Sequence, residues 1–361
     1  MTGLTAHPSS PGLWTLAWRR LRGDRIAMLS LAVVSLFLVM LVLSSSGLIV
    51  SDWEDEVAVS YAPPSFVGAQ EGTTDVAASA RGATANVFDP LADEIRAIQA
   101  ELNTNAPLEM YGVEDPLAAD MKALGASSAV AAVAKRSTLP FGADKWGHDV
   151  IKKTIKGGQT SIVVGLVAAL LAVSLGTLFG AVSGYFGGAI DDLFNWFYSI
   201  FTSIPSILMI LTVAAVLQQK GVMTIVLILG LTGWTGPYRL IRAEYMKHKV
   251  REYVMAADAI GASHWRKMFS HILPNVSHVA LVQVSILVVG FIKAEVILSF
   301  LGFGVPVGVV SWGSMLNEAQ NELILGKWWQ LTAAALAMAL LVTAFSLLTD
   351  ALRDALDPKL K

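Results

Sequence analysis

Six long apolar runs divide the chain, at residues 27–50, 160–185, 193–217, 221–240, 278–304 and 329–350. A helix of about 20 apolar residues crosses roughly 30 Å of hydrocarbon. Backbone groups in lipid must satisfy one another, so the pattern predicts an all-α, polytopic membrane protein with six transmembrane helices. Glycine and proline recur inside the runs, at Gly165, Gly176, Gly180, Gly184 and Pro205. Membrane helices tolerate them where neighbours approach closely, so a tight bundle is expected. The first run is long enough to span and lacks a small-residue cleavage site, so it is expected to remain as an anchor.

The polar stretches set an orientation. Arg19, Arg20, Arg22 and Arg25 precede the first run against one acid, Asp24, which puts the N-terminus in the cytoplasm. Six crossings return the C-terminus there, with Arg353, Lys359 and Lys361. Residues 236–278 carry seven Lys or Arg against three acids and fall on the same side. Residues 51–137 carry 14 acids and five basic residues and fall outside. The expected plan is a cytoplasmic segment 1–26, a first span 27–50, an acidic extracytoplasmic insert 51–157, a five-helix core 158–352 with a cytoplasmic loop 241–277, and a cytoplasmic tail 353–361.

Within the first segment, "LWTLAWRRLR" lines up Leu13, Trp14, Ala17, Trp18 and Leu21 on one helical face and arginines on another. That suits a helix lying in the inner interface, or a plain extension of the first span. In the insert, "PLADEIRAIQAEL", residues 90–102, puts Leu91, Ile95, Ile98 and Leu102 on one face. A small helical elaboration and a loosely packed loop both fit its composition.

Composition narrows the chemistry. The 361 residues are 54% hydrophobic and 15% charged, where a soluble domain has about 25% charged, so a lipid bilayer is the expected surrounding. A net charge of −2 gives no basic field for nucleic acid, and the lack of cysteine excludes thiolate metal sites and cysteine nucleophiles. No phosphate-binding G-x-x-x-x-G-K-[ST], no G-x-S-x-G and no H-E-x-x-H is present, so no catalytic residue is expected. His264, His271 and His278 recur every seven residues, which on a helix is some 10 Å, too far to share an ion, and no metal site is expected. Lys293 and Glu295 are the only charges in the fifth run, and with Ser299 they are candidates for a pathway or gate. Two positions apart, Lys293 and Glu295 do not share a helix face.

The polar stretch "YVMAADAIGASHWRKMFSHILPN", Tyr253 to Asn275, resembles the cytoplasmic EAA loop of binding-protein-dependent ABC importer permeases. That pattern is Glu-Ala-Ala, three residues, Gly, nine residues, Ile, one residue, Leu-Pro. Here Met255, Ala256, Ala257, Gly261, His271, Leu273 and Pro274 occupy those places, with Met255 for the acid and His271 for the isoleucine. "FGADKWGHDVIKKTIKGGQTSIVVG" from Phe141 and "EVILSFLGFGVPVGVVSWGSML" from Glu295 are similar to two further blocks of the peptide-importer branch. In the first of them Ala143 and His148 stand where Thr and Arg are usual. The chain is identified as a member of the C-type permease subunits of dipeptide and oligopeptide ABC importers, with an insert longer than the family's.

The resemblance implies a type I ABC importer permease fold and a place in the bacterial inner membrane. It also implies a homologous B-type permease, two cytoplasmic ATPases that bring ATP and Mg, and an extracytoplasmic substrate-binding protein. It implies that Ala256, Ala257, Gly261, Leu273 and Pro274 couple the spans to an ATPase. Small alanines would let a helix press close to its partner, Gly261 would end that helix, and Pro274 would start the next. Trp265, Met268 and Phe269 would brace the loop, and Arg266 and Lys267 would face lipid or the ATPase. Importers of nickel chelates, glutathione or antimicrobial peptides use similar permeases. An ATP-independent channel or secondary transporter, and a structural membrane protein, remain as other classes.

Overall fold

The computed structural model describes residues 13–68 and 135–356, with the side chains of 13–17 left aside. The run 90–102, most of the insert and the last five residues lie outside the described residues, as do the expectations for the side chains of Leu13, Trp14 and Ala17. The described residues are helical, with isolated β-bridges and no strand. The helices are α1 (Leu13–Gly23), α2 (Arg25–Ser45), α3 (Val150–Phe186), α4 (Gly188–Thr202), α5 (Ser206–Leu217), α6 (Val222–Thr232), α7 (Thr235–His248), α8 (Glu252–Ala259), a π turn (Arg266–Ile272), α9 (Leu273–Phe300), α10 (Trp312–Ile324) and α11 (Trp329–Leu356).

Four helices are long and apolar enough to cross a membrane: α2, α3, the π turn with α9, and α11. A fifth span arises if α4 and α5 count as one, bent by 83°. The bend falls at Pro205, inside the expected third span, because proline lacks the N–H that would continue the helix and forces Ile204 out of helical geometry. The expected fourth span is interrupted as well: α6 has 11 residues, about 16 Å, and ends at Gly233. A side-chain carbon on Gly233 would stand 2.3 Å from the Phe291 ring, so α9 crosses where the helix breaks.

Boundaries shift for local reasons. α2 stops at Ser45, short of residue 50, where the hydroxyls of Ser45 and Ser46 turn back to the carbonyls of Val42 and Leu43. α3 starts ten residues before the apolar run, because the Asp149 side chain accepts from the N–H groups of Ile151 and Lys152 and so caps it. The expected loop 241–277 is largely helical, made of the end of α7, α8, the π turn and the start of α9. α11 runs through Arg353 to Leu356, into the expected tail. The pattern gave no reason to expect α10, whose start is a reciprocal capping box between Ser311 and Ser314.

α3 is the axis of the bundle, about 55 Å long. Its middle packs Ile162, Val164, Ala168, Ala169 and Ala172 against α2, α6, α9, α10 and α11. Further on, Gly176, Gly180 and Gly184 line one face against α7. A side-chain carbon there would come within 2.6 Å of the Trp234 carbonyl, 2.8 Å of the Tyr238 carbonyl and 2.5 Å of the Arg242 carbonyl. Only glycines allow that backbone contact, the small-xxx-small packing of membrane helices. Beyond the seam, the Arg242 guanidinium grips Asp191 of α4 with two bonds of 2.6 Å.

At the other end of α3 the edges of the insert meet. Val59 N–H donates to the Arg136 carbonyl at 3.0 Å and Ser65 N–H to the Leu139 carbonyl at 2.8 Å. Ala58, Ala62, Leu139 and Ala143 form a small core beneath them. Gly147 is fixed by sterics, with φ +88° and a would-be side-chain carbon 2.1 Å from the Ala58 carbonyl.

Candidate functional site

The segment from α7 to α9 folds as one block. Val254 of α8 faces inward into a cluster with Tyr245, Met268, Ile272 and Val276, with Ala181 and Ile241 below, and Ala257 of the same helix is buried as well. Tyr245 donates its hydroxyl to the Met268 carbonyl at 3.1 Å. Three polar contacts fasten the rim. His264 Nδ1 meets the Tyr185 hydroxyl at 2.9 Å, tying the block to the end of α3. His248 Nδ1 meets the Tyr253 hydroxyl at 2.9 Å, tying α7 to α8. Lys267 pairs with Asp258, tying the π turn to α8, and this hydrogen bond holds the Asp258 carboxyl below its usual range.

Ala256 and Ala257 part company in this block, Ala256 exposed and Ala257 buried. Gly261 closes α8 with φ +81°, and a side-chain carbon there would touch nothing within 4 Å. Its requirement is therefore backbone conformation rather than room. Pro274 falls in the first turn of α9, but α9 continues from the π turn rather than starting afresh. The Leu273 N–H reaches back to the Met268 carbonyl, and this wider turn takes up the proline that cannot donate. Leu273 is half-buried beside it.

Trp265 stacks on Phe269 with ring centres 5.4 Å apart and stays largely exposed, while Met268 is fully buried, so only part of the expected bracing points inward. Arg266 is exposed, whereas Lys267 is buried against Asp258. The outward face presents Val250, Met255, Ala256, Ile260 and Trp265, with Ile260 85% exposed. A cleft of about 410 Å³ runs beside it between Tyr185, Val254, Met255, Asp258 and Lys267.

Lys293, Glu295 and Ser299 separate as well. Glu295 is fully buried where α3, α9 and α10 cross, accepting from Ser161 at 2.6 Å and Ser299 at 2.7 Å. Ser161 also accepts the Trp312 N–H at 3.2 Å. Lys293 is exposed on another face of α9. Among the described residues no three His, Cys, Asp or Glu side chains are grouped to hold a metal ion. The sequence reading missed Ser161, the Asp191–Arg242 pair and a buried cluster around Lys153; the polar residues at the start of α3 were the available signal.

The family model described as "binding-protein-dependent transport system inner membrane component" matches residues 176–361. The chain belongs to that family. A model of the N-terminal transmembrane domain of oligopeptide transport permease C matches residues 12–64 of this permease. The dipeptide transport system permease of Bacillus subtilis is 38% identical over 221 residues, 61% of this chain and 69% of that one. The oligopeptide transport system permease of the same organism is 36% identical over 221 residues, 61% of this chain and 72% of its own length. A dipeptide permease of Lactococcus lactis is 28% identical over 348 residues, 95% of this chain and 90% of that one. Among solved structures, a chain of the MetNI methionine ABC transporter has a TM-score of 0.45 at 14% identity, over 56% of this chain and 96% of its own.

Proposed function

We propose that this permease is one transmembrane subunit of an ATP-driven importer of dipeptides or oligopeptides, supplying half of the translocation pathway. The observation that carries the reading is the α8 block: braced from within by Tyr245 and Met268, tied to the end of α3, and bearing an exposed apolar face around Ala256 and Ile260. A rigid element of this kind can receive the closing motion of another protein and pass it to the bundle. The names of the B. subtilis relatives support peptides as cargo.

In this reading the chain sits in the inner membrane with both termini and the α8 block in the cytoplasm and the insert outside. It crosses six times in a type I arrangement, α4–α5 and α6–α7 each forming one broken span. A homologous permease completes the pathway, a binding protein delivers cargo to the insert side, and two ATPases bind ATP and Mg, this chain catalysing nothing. Ala256 is the contact to the ATPase, Ala257 and Leu273 seat the block, and Gly261 and Pro274 set its turns. Lys293 faces the pathway or the second permease, and Glu295 with Ser299 holds the crossing that moves when the pathway opens.

Gly261→Asp keeps room for its side chain, so the variant is expected to insert normally and to lose peptide uptake in the assembled transporter. Undiminished uptake and substrate-stimulated ATP hydrolysis would contradict the coupling role.

A further inference from the structure

The insert-side end of α3 holds a buried charge cluster that the import reading does not use. Lys153 Nζ donates to Asp144 at 2.7 Å, Glu318 at 2.6 Å and Gln330 at 3.2 Å. An ammonium has three N–H donors, and these three acceptors take them all. Gln330 closes the ring, donating to Glu318 at 3.2 Å and to the Met315 carbonyl at 3.2 Å. Asp144 is fully buried and also accepts from the N–H groups of Trp146 at 2.8 Å and His148 at 3.0 Å. The cluster thus joins the segment before α3 to α3, α10 and the start of α11.

One turn beyond Glu318 on α10 lies Glu322. Its residue is 1% exposed, and neither carboxylate oxygen has a hydrogen-bond partner. The charged and titratable groups around it are Asp144 and Lys145 from the segment before α3, Lys153 from α3, Glu318 from its own helix, and Tyr61 from the edge of the insert, with His148 paired to Asp144 behind them. Lys327, in the turn to α11, gives its backbone N–H to the Glu322 carbonyl at 2.9 Å. With the Lys153 donors committed to Asp144, Glu318 and Gln330, an ionised Glu322 would be a buried charge with no hydrogen bond, which a protein avoids by keeping the acid neutral.

We propose that Glu322 is a proton-binding site that locks the insert-side cap: protonated, it lets α10 pack against α3 and the segment 142–149, and on ionising it loosens that contact. Burial first of all, opposed by Lys153, pushes the Glu322 carboxyl up to about 7. A carboxyl raised in the native state makes the folded chain the better proton binder, so its contribution to stability is complete below the ordinary carboxylate value and is lost as pH rises toward 7. The lock is independent of what the permease carries.

The test is backbone hydrogen exchange of the full chain in lipid nanodiscs at pH 6 and pH 8, corrected for intrinsic rates, with wild type and Glu322→Gln compared. The ratio of acid to carboxylate inverts from about 10:1 to about 1:10 across that interval. Exchange in α10 and residues 142–153 is therefore expected to rise severalfold in wild type and to stay level in Glu322→Gln, whose amide mimics the neutral acid. Equal exchange at both pH values in wild type, or the same rise in Glu322→Gln, would overturn the lock. Infrared titration of wild type reads the proton itself: an acid carbonyl band that disappears near neutral pH supports the assignment, and a spectrum with no band titrating there refutes it.

Discussion

The two ends of α3 are fastened by different means. On the insert side Lys153, Asp144 and Gln330 are buried and satisfy one another, so charge is enclosed by the chain itself. On the α8 side the core is apolar apart from the buried Tyr245 hydroxyl, the side-chain pairs lie at the rim, and Ile260, Met255 and Trp265 are left outside. A buried ion cluster is costly unless every member is paired, so it fixes one arrangement. An exposed apolar face over a rigid core has the opposite character, and in the proposed function it is the part that a second surface covers. The first end is closed on itself, and the second leaves apolar side chains outside.

Variants break this contrast in graded ways. Lys153→Met strands Asp144 and Glu318 without their cation, and loss of one partner of a buried pair costs about 3–5 kcal/mol. A lowered unfolding temperature and poor yield are expected; a wild-type melting curve would show that the cluster does not hold the cap. Gly180→Val drives side-chain carbons into the backbone of α7, and overpacking of that kind costs about 1–3 kcal/mol. Crosslinking between cysteines placed on α3 and α7 should fall in that variant, and unchanged yields would count against the glycine seam. Ala257→Leu overfills the core under α8 by a similar amount, whereas Ala256→Leu, on the exposed face, should change stability by less than about 0.5 kcal/mol. Thermal unfolding of the pair separates the two faces of one helix.

Asp258→Asn gives the smallest effect, because the Asp258 carboxyl is solvent-exposed. Its carboxyl lies below the usual range in the folded chain, so its contribution is present above the ordinary carboxylate value and is lost as pH falls through the lowered one. The variant should lack that acid-side change in exchange of the π turn, and a profile matching wild type would remove the Lys267 tie from the account.

Much of this was legible from spacing. The apolar runs located α2, α3, α9 and α11, since helix length is a local property, and the resemblance to the EAA loop singled out the segment from Ala256 to Pro274. The 83° break at Pro205 was less so, because a proline inside a greasy run is compatible with either a kink or a continuous span until its neighbours are known. The division of Ala256, exposed, from Ala257, buried, is set by which face of α8 the rest of the block covers, and adjacent alanines carry no sign of that. The Lys153 cluster draws on Asp144, Glu318 and Gln330 from three separate elements, and Lys153 read alone is an ordinary charge at the edge of a span.

The central claim is that the α8 block passes another protein's motion to the bundle through its exposed face. Ala256→Trp in the assembled, reconstituted transporter tests it most directly, with peptide uptake and ATP hydrolysis measured alongside the unfolding temperature of this chain. The account predicts an unchanged unfolding temperature together with lost uptake and lost substrate stimulation of ATP hydrolysis. Uptake at the wild-type rate, with Trp in place of that exposed alanine, would contradict it.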